Sequence, residues 1–310
     1  MYYFILMKTS ARNFIGNFAA KILISLGVVK KAVNKAKNGE YILSICFHAP
    51  SKQLFESSIN WLTQNGFYFI SVDDIEKAAA GMIPFPKGAV LITIDDGWQS
   101  NLDNIVPVAE KNKIPVTIFV STEAVEKGNG YWWSYITEAR KIGLANDSIE
   151  FFKSLDNEDR IKIIEETKTK INITRQALTV DQIKSISKNK YVSIGSHSVS
   201  HPILPRCTNA ESTYEITQSK RVIEEWIEKD IKHFAYPNGD FSNREISILK
   251  KAGYTLAFCT DQTYLTKENI THLFKLPRRL MVENASFEEN ICRMIGVWPT
   301  KRKRRKVIFP

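Results

Sequence analysis

Residues 89–97 read Ala-Val-Leu-Ile-Thr-Ile-Asp-Asp-Gly (AVLITIDDG), six residues apolar except for Thr93, stopped by two carboxylates and a glycine. An unbroken apolar run of this length predicts a strand buried on both faces, the pattern of a parallel sheet covered by helices. Gly97 lets the backbone turn where the strand ends. Working outward, the alternation repeats. Tyr41–Phe47 (YILSICF) is a second such run, ending at His48. Residues 53–65 place Leu54, Phe55, Ile59 and Leu62 at helical spacing before Gly66. The spacing predicts a helix over 98–112 and a strand over 114–120, then two helices within 158–188, the second opening at Thr179-Val180-Asp181. Strands are expected at 191–194, 232–236 and 254–259, with helices at 209–229 and 242–252. Strand–helix alternation of this density predicts an α/β fold of parallel strands, and some seven units over about 250 residues suit a closed barrel better than an open sheet.

Composition narrows the function class. Of 310 residues 44% are hydrophobic and 25% charged, with 14 Gly, 11 Pro and 4 Cys. That excludes a mainly disordered chain, a collagen-like one and a disulfide scaffold. The net charge is +10, but it lies at the ends. Residues 1–40 hold seven Lys or Arg against Glu40 alone, and 301–306 read KRKRRK, so the stretch between is slightly acidic. A nucleic-acid-binding body needs a basic face across the fold, so no nucleic-acid partner is expected. Basic ends suit an anionic membrane surface. Cys46, Cys207, Cys259 and Cys292 form no C-x-x-C pair, which fits small buried thiols in a reducing, cytoplasmic setting. Residues 14–29 are apolar but too short for a spanning helix and interrupted by Lys21. We divide the chain into a basic amphipathic helical segment (1–40), a catalytic domain (41–298) and a basic tail (299–310). The N-terminal helix either lies on a membrane or packs on the domain.

The chemically loaded residues fall where strands end, the place for an active site in parallel α/β folds. In Thr93-Ile94-Asp95-Asp96-Gly97, adjacent carboxylates need a cation nearby or act as a helix N-cap. In His197-Ser198-Val199-Ser200-His201, two histidines at i, i+4 can converge on one metal or simply decorate a loop. Two His and one Asp together are a three-ligand set that leaves a coordination position open, as in catalytic zinc sites. Trp132 and Trp133 offer faces for sugar rings, or pack a loop onto the barrel.

In their order and spacing, T-I-D-D-G, H-S-V-S-H and F-A-Y-P-N-G (residues 234–239) resemble the polysaccharide deacetylase family, also called carbohydrate esterase family 4 or the chitooligosaccharide-deacetylase homology domain. The resemblance covers roughly residues 41–295. It implies a distorted (β/α)7-type barrel and a divalent metal, commonly Zn2+, that serves to remove N- or O-acetyl groups from a sugar or glycan. It implies Asp96, His197 and His201 as metal ligands, Asp95 as the base acting on metal-bound water, and the backbone N–H of Asn238 as an oxyanion donor.

Two positions depart from the family pattern. The Arg that braces the base is replaced by Ala235, and Arg278 or Arg279 in L-P-R-R-L can supply the guanidinium from another strand. The usual C-terminal acid histidine is missing: the single histidine after residue 260 is His272, in T-H-L-F. His48, in L-S-I-C-F-H-A-P, resembles instead the acid of a subgroup with permuted motif order. His233 sits inside an expected strand and reads as a core or edge residue. The leading expectation is a metal-dependent deacetylase of an N-acetylated glycan. A related reading makes the substrate a lipid-linked sugar, deacylated or deformylated at the cytoplasmic membrane face. A catalytically silent sugar-binding module, suggested by Ala235, should have lost a ligand or the base, yet all four are present.

Overall fold

The computed structural model describes residues 2–299, so the KRKRRK run of the expected C-terminal tail lies outside the described residues. The strands are β1 (Leu43–Phe47), β2 (Tyr68–Ile70), β3 (Ala89–Ile94), β4 (Val116–Val120), β5 (Val192–Ser196), β6 (His233–Ala235), β7 (Leu256–Phe258) and β8 (Arg279–Leu280). They form a parallel sheet in the order β7-β6-β5-β4-β3-β1-β8, with β2 beside the first half of β3. The sheet curls until its ends meet. Leu276 donates to Ala257 O and accepts from the Cys259 N–H, and three residues later Arg279 and Leu280 pair with Ile45 and Cys46 of β1. The result is the α/β barrel expected from the sequence, with seven strands in the ring.

Alternation along β3 shows why its sequence is apolar throughout. Val90, Ile92 and Ile94 join a core shared with the surrounding helices. Leu91 instead joins Phe119 of β4, Ala235 of β6 and Phe258 of β7 in a second cluster inside the ring. Val72 and Ile75 belong to this inner cluster too, so the helix Val72–Ala79 plugs the end of the barrel where the strands begin. The opposite end, where the strands finish, is left for chemistry.

Local signals start the helices. Ser71 with Asp74, Thr179 with Gln182, Thr208 with Glu211 and Ser242 with Glu245 each form a reciprocal capping box. The single helix expected over 98–112 is instead two, Asn101–Asn104 and Val106–Asn112. Pro107 has no N–H to continue the ladder and favours a first turn, so a new helix starts there.

The N-terminal segment also forms two helices, Tyr2–Ser25 and Val28–Lys37. Between Arg12–Ser25 and the second helix the axis bends by 65°. The second buries Val29, Ala32, Val33 and Ala36. The first lies along the helix Phe287–Met294, with Ala20 fully buried and Arg12 paired to Glu289 at 2.8 Å. Its outer side exposes Phe14, Ile15, Phe18 and Ile22, and Leu26 continues the stripe just past its end, at 40–74% exposure. Among the described residues no single helix is long and apolar enough to cross a membrane; these two pass such a test only as a bent pair.

Candidate metal centre and active site

β3 delivers Asp95 and Asp96 to the open end of the barrel. Asp95 continues the inward-facing positions Leu91 and Thr93 (strand residues two apart share a face). It is buried and held by Arg278, Nη1 to Oδ1 at 2.7 Å and Nη2 to Oδ2 at 2.8 Å. The guanidinium also donates to Thr93 Oγ1 at 3.0 Å and lies between the rings of Phe119 and Phe258. Burial pushes the Asp95 carboxyl up, but Arg278, aided by His197 and His48, overcomes it and holds the group below the usual carboxylate range. Of the two candidate arginines, Arg278 is therefore the one that braces Asp95. Arg279 turns away and stacks over Tyr264 at 4.5 Å.

Asp96 faces elsewhere because its backbone is left-handed, φ 73°. That conformation costs a non-glycine residue about 1–3 kcal/mol and persists only where the surroundings over-determine it. Here Tyr131 Oη donates to the Asp96 carbonyl at 2.8 Å and Trp98 Nε1 donates to Oδ2 at 2.8 Å. Gly97, also at positive φ (77°), lies against β4: a Cβ there would meet Val120 Cγ1 at 2.8 Å.

The two histidines follow β5. His197 Nδ1 lies 2.7 Å from the Ala235 carbonyl, which fixes the proton on Nδ1 and leaves the Nε2 lone pair forward. His201 also has positive φ, 55°. The loop is held by Glu215, which accepts from the N–H groups of Val199 and Ser200 and from the Ser200 hydroxyl. Trp132 Nε1 donates to the His201 carbonyl, and the Trp133 ring meets the His201 ring edge-on at 4.6 Å.

These constraints converge. Asp96 Oδ1 lies 3.4 Å from His197 Nε2 and 3.5 Å from His201 Nε2, and Oδ1 is buried with no hydrogen-bond donor. Burial pulls the His201 imidazole down to about 3, so it is neutral at pH 7, whereas at His197 burial is outweighed by Asp95 and Asp96, which hold its imidazole above the usual range. A carboxylate oxygen facing imidazole lone pairs in a buried site is a donor set that fits a divalent cation.

Residues 83–257 match the polysaccharide deacetylase family. The chain belongs to that family. Its similar relatives include the poly-beta-1,6-N-acetyl-D-glucosamine N-deacetylase of Staphylococcus aureus, 24% identical over 250 residues that cover 80% of this chain and 73% of the relative. The enzyme of the same name from Escherichia coli is 23% identical, covering 76% of this chain and 34% of its own. Among solved structures, the fold resembles the Streptococcus pyogenes deacetylase PplD in complex with acetate, at a TM-score of 0.60 and 20% identity over 82% of this chain and 97% of that one. It also resembles IcaB from Ammonifex degensii, at 0.57 and 17% over 83% and 98%. By family this chain is a polysaccharide deacetylase, a hydrolase of the amide C–N bond of acetylated sugars.

Within this deacetylase the remaining sequence candidates are placed as follows. His48 directly follows β1, near enough to both aspartates for an imidazolium there to lower their carboxyls, and its carbonyl is held by Asn101 Nδ2. Asn238 follows β6 at φ 57°, its carbonyl accepting from Thr260 Oγ1. His272 is exposed, between two short 3-10 turns. Trp132 is buried with Ile136, Phe152 and Ile164, so the packing alternative describes it. Trp133 is partly buried and stacked on Tyr131, at the rim of the Asp96–His197–His201 cluster. Sequence reasoning missed Trp98, Tyr131 and Glu215. The position of Trp98 directly after Asp-Asp-Gly was the one local signal.

Proposed function

We propose that this polysaccharide deacetylase removes the N-acetyl group from N-acetylglucosamine units of a glycan, with Asp96, His197 and His201 holding a divalent cation, Zn2+ in preference. The observation that carries this reading is the convergence of Asp96 Oδ1 with two imidazole Nε2 atoms beside a second, independently buried carboxylate. The substrate class is that for which the similar relatives are named. Two imidazoles and one carboxylate with an open position are a donor set for catalytic zinc.

When bound, such an ion polarises the amide carbonyl and lowers the pKa of water toward ~7. Asp95 takes the proton from the attacking water. Each of its oxygens accepts one bond from Arg278 and keeps a second lone pair for that proton. Arg278 fixes the carboxylate and keeps it ionised at neutral pH. As the C–N bond breaks, His48 delivers a proton to the leaving amine, which frees acetate and a glucosamine unit. In this reading the Asn238 backbone N–H donates to the developing oxyanion. The test is acetate release by full-length protein from β-1,6- and β-1,4-linked N-acetylglucosamine oligomers, before and after chelation and with Zn2+ restored. Release from neither, with metal present, overturns the reading.

A second reading concerns where the substrate is met. The exposed stripe Phe14, Ile15, Phe18, Ile22 and Leu26, with Lys21, Lys30 and Lys31 nearby, supports docking on an anionic membrane and a lipid-linked sugar as substrate. The four cysteines are buried and form no disulfide among the described residues, which supports the cytoplasmic face. Phe14→Ser with Phe18→Ser should abolish sedimentation with phosphatidylglycerol vesicles while hydrolysis of a soluble oligomer persists. Unchanged sedimentation removes this reading.

A further inference from the structure

The end of the barrel remote from Asp96 carries a second group of metal-type ligands. His233 opens β6, and its side chain is more than nine-tenths buried beneath the plug helix Val72–Ala79. Its Nε2 is enclosed, makes no hydrogen bond, and points at two carboxylates of that helix, Glu76 Oε1 at 3.3 Å and Asp73 Oδ1 at 3.7 Å. Asp73 and Glu76 are spaced i, i+3 and so share one face of the helix. One ligand atom from each of the three residues lies within 4.8 Å of the others.

We propose that Asp73, Glu76 and His233 form a second divalent-cation site that pins the plug helix to the barrel wall. A buried imidazole nitrogen without a donor or acceptor partner is costly, and a cation shared with two carboxylates satisfies it. The mixed donors select the metal class: an imidazole favours Zn2+, Co2+ or Ni2+, whereas Mg2+ and Ca2+ take oxygen ligands. Asp73 is largely exposed, so an ion can enter from solvent without the helix lifting. Glu76 is oriented from behind by the Thr255 hydroxyl, which donates to Oε1 and leaves that oxygen a further lone pair. The alternative occupant of the gap is a proton, which makes His233 an imidazolium paired with the same carboxylates.

The experiment separates the two. Full-length protein stripped by chelator is titrated with Co2+, followed by calorimetry and visible absorption. Wild type should bind two equivalents, and Glu76→Gln and Asp73→Asn one each, with acetate release unchanged. In a His197→Ala background one equivalent should remain and raise Tm, and adding Glu76→Gln should remove both the binding and the Tm rise. Both substitutions are nearly isosteric and leave His233 in place, so they test the site without opening the buried imidazole position. A wild type that binds a single Co2+, lost with His197, overturns the proposal. So does a Glu76→Gln protein that still binds two, or one whose stability changes with pH but never responds to Co2+. Because these readouts count ions at the plug, they stand or fall separately from the deacetylase site.

Discussion

Arg278 holds Asp95 through two parallel hydrogen bonds at 2.7 and 2.8 Å, and both side chains are buried. The arginine comes from the segment that closes the barrel, while the aspartate comes from β3, 183 residues earlier. Closing the barrel and bracing the carboxylate are thus one structural event. Removing one partner of a buried pair costs about 3–5 kcal/mol, since the other charge is left uncompensated. Arg278→Ala should therefore lower Tm sharply. Arg278→Lys keeps the charge but not the fork, and should reduce kcat by about 100-fold through misplacement of the carboxylate while metal content holds. Arg279→Ala, which loses a stack on Tyr264, should leave kcat nearly unchanged. Steady-state kinetics with metal analysis checks all three.

The two aspartates should separate by phenotype. Asp95→Asn cannot accept a proton and should lose about 10²–10⁴-fold in kcat with its metal retained. Asp96→Asn should weaken metal binding itself. Swapped phenotypes, read by metal content against kcat, would reverse the roles assigned here.

His48→Ala should cost about 10²–10⁴-fold in kcat with metal intact, and the basic limb of the pH–rate profile should flatten. His272→Ala, at an exposed turn, should match wild type. A loss at His272 and none at His48 moves the acid to the C-terminal side.

Gly97→Ala should destabilise the fold by about 1–3 kcal/mol, because alanine is strained at positive φ and its Cβ would press on Val120. Urea unfolding measures this; an unchanged midpoint would show that the turn after β3 can relax.

The barrel's central strands were legible in the sequence because burial on both faces leaves an unbroken apolar run: β3 spans the expected 89–94. The Asp-Asp-Gly and His-x-x-x-His motifs, which the structure brings together, were legible because they sit in short contiguous stretches at strand ends. What escaped was built from distant or short pieces. β2 and β8 have three and two residues, too few for a pattern, and β8 includes an arginine. The sequence left Arg278 and Arg279 as equals; the direction each points is set by barrel closure, which brings Arg278 to Asp95 and Arg279 to Tyr264. His233 reads as a core residue because its partners lie on a helix some 160 residues earlier. Trp132 and Trp133, adjacent in sequence, differ because helix geometry sends one inward and leaves the other at the rim.

The central claim, that Asp96, His197 and His201 hold the ion on which hydrolysis depends, is tested most directly by counting bound metal in wild type and His197→Ala while measuring acetate release on the same samples. The account predicts one equivalent fewer in the variant and release reduced to background. An equal metal count with acetate release intact would contradict it.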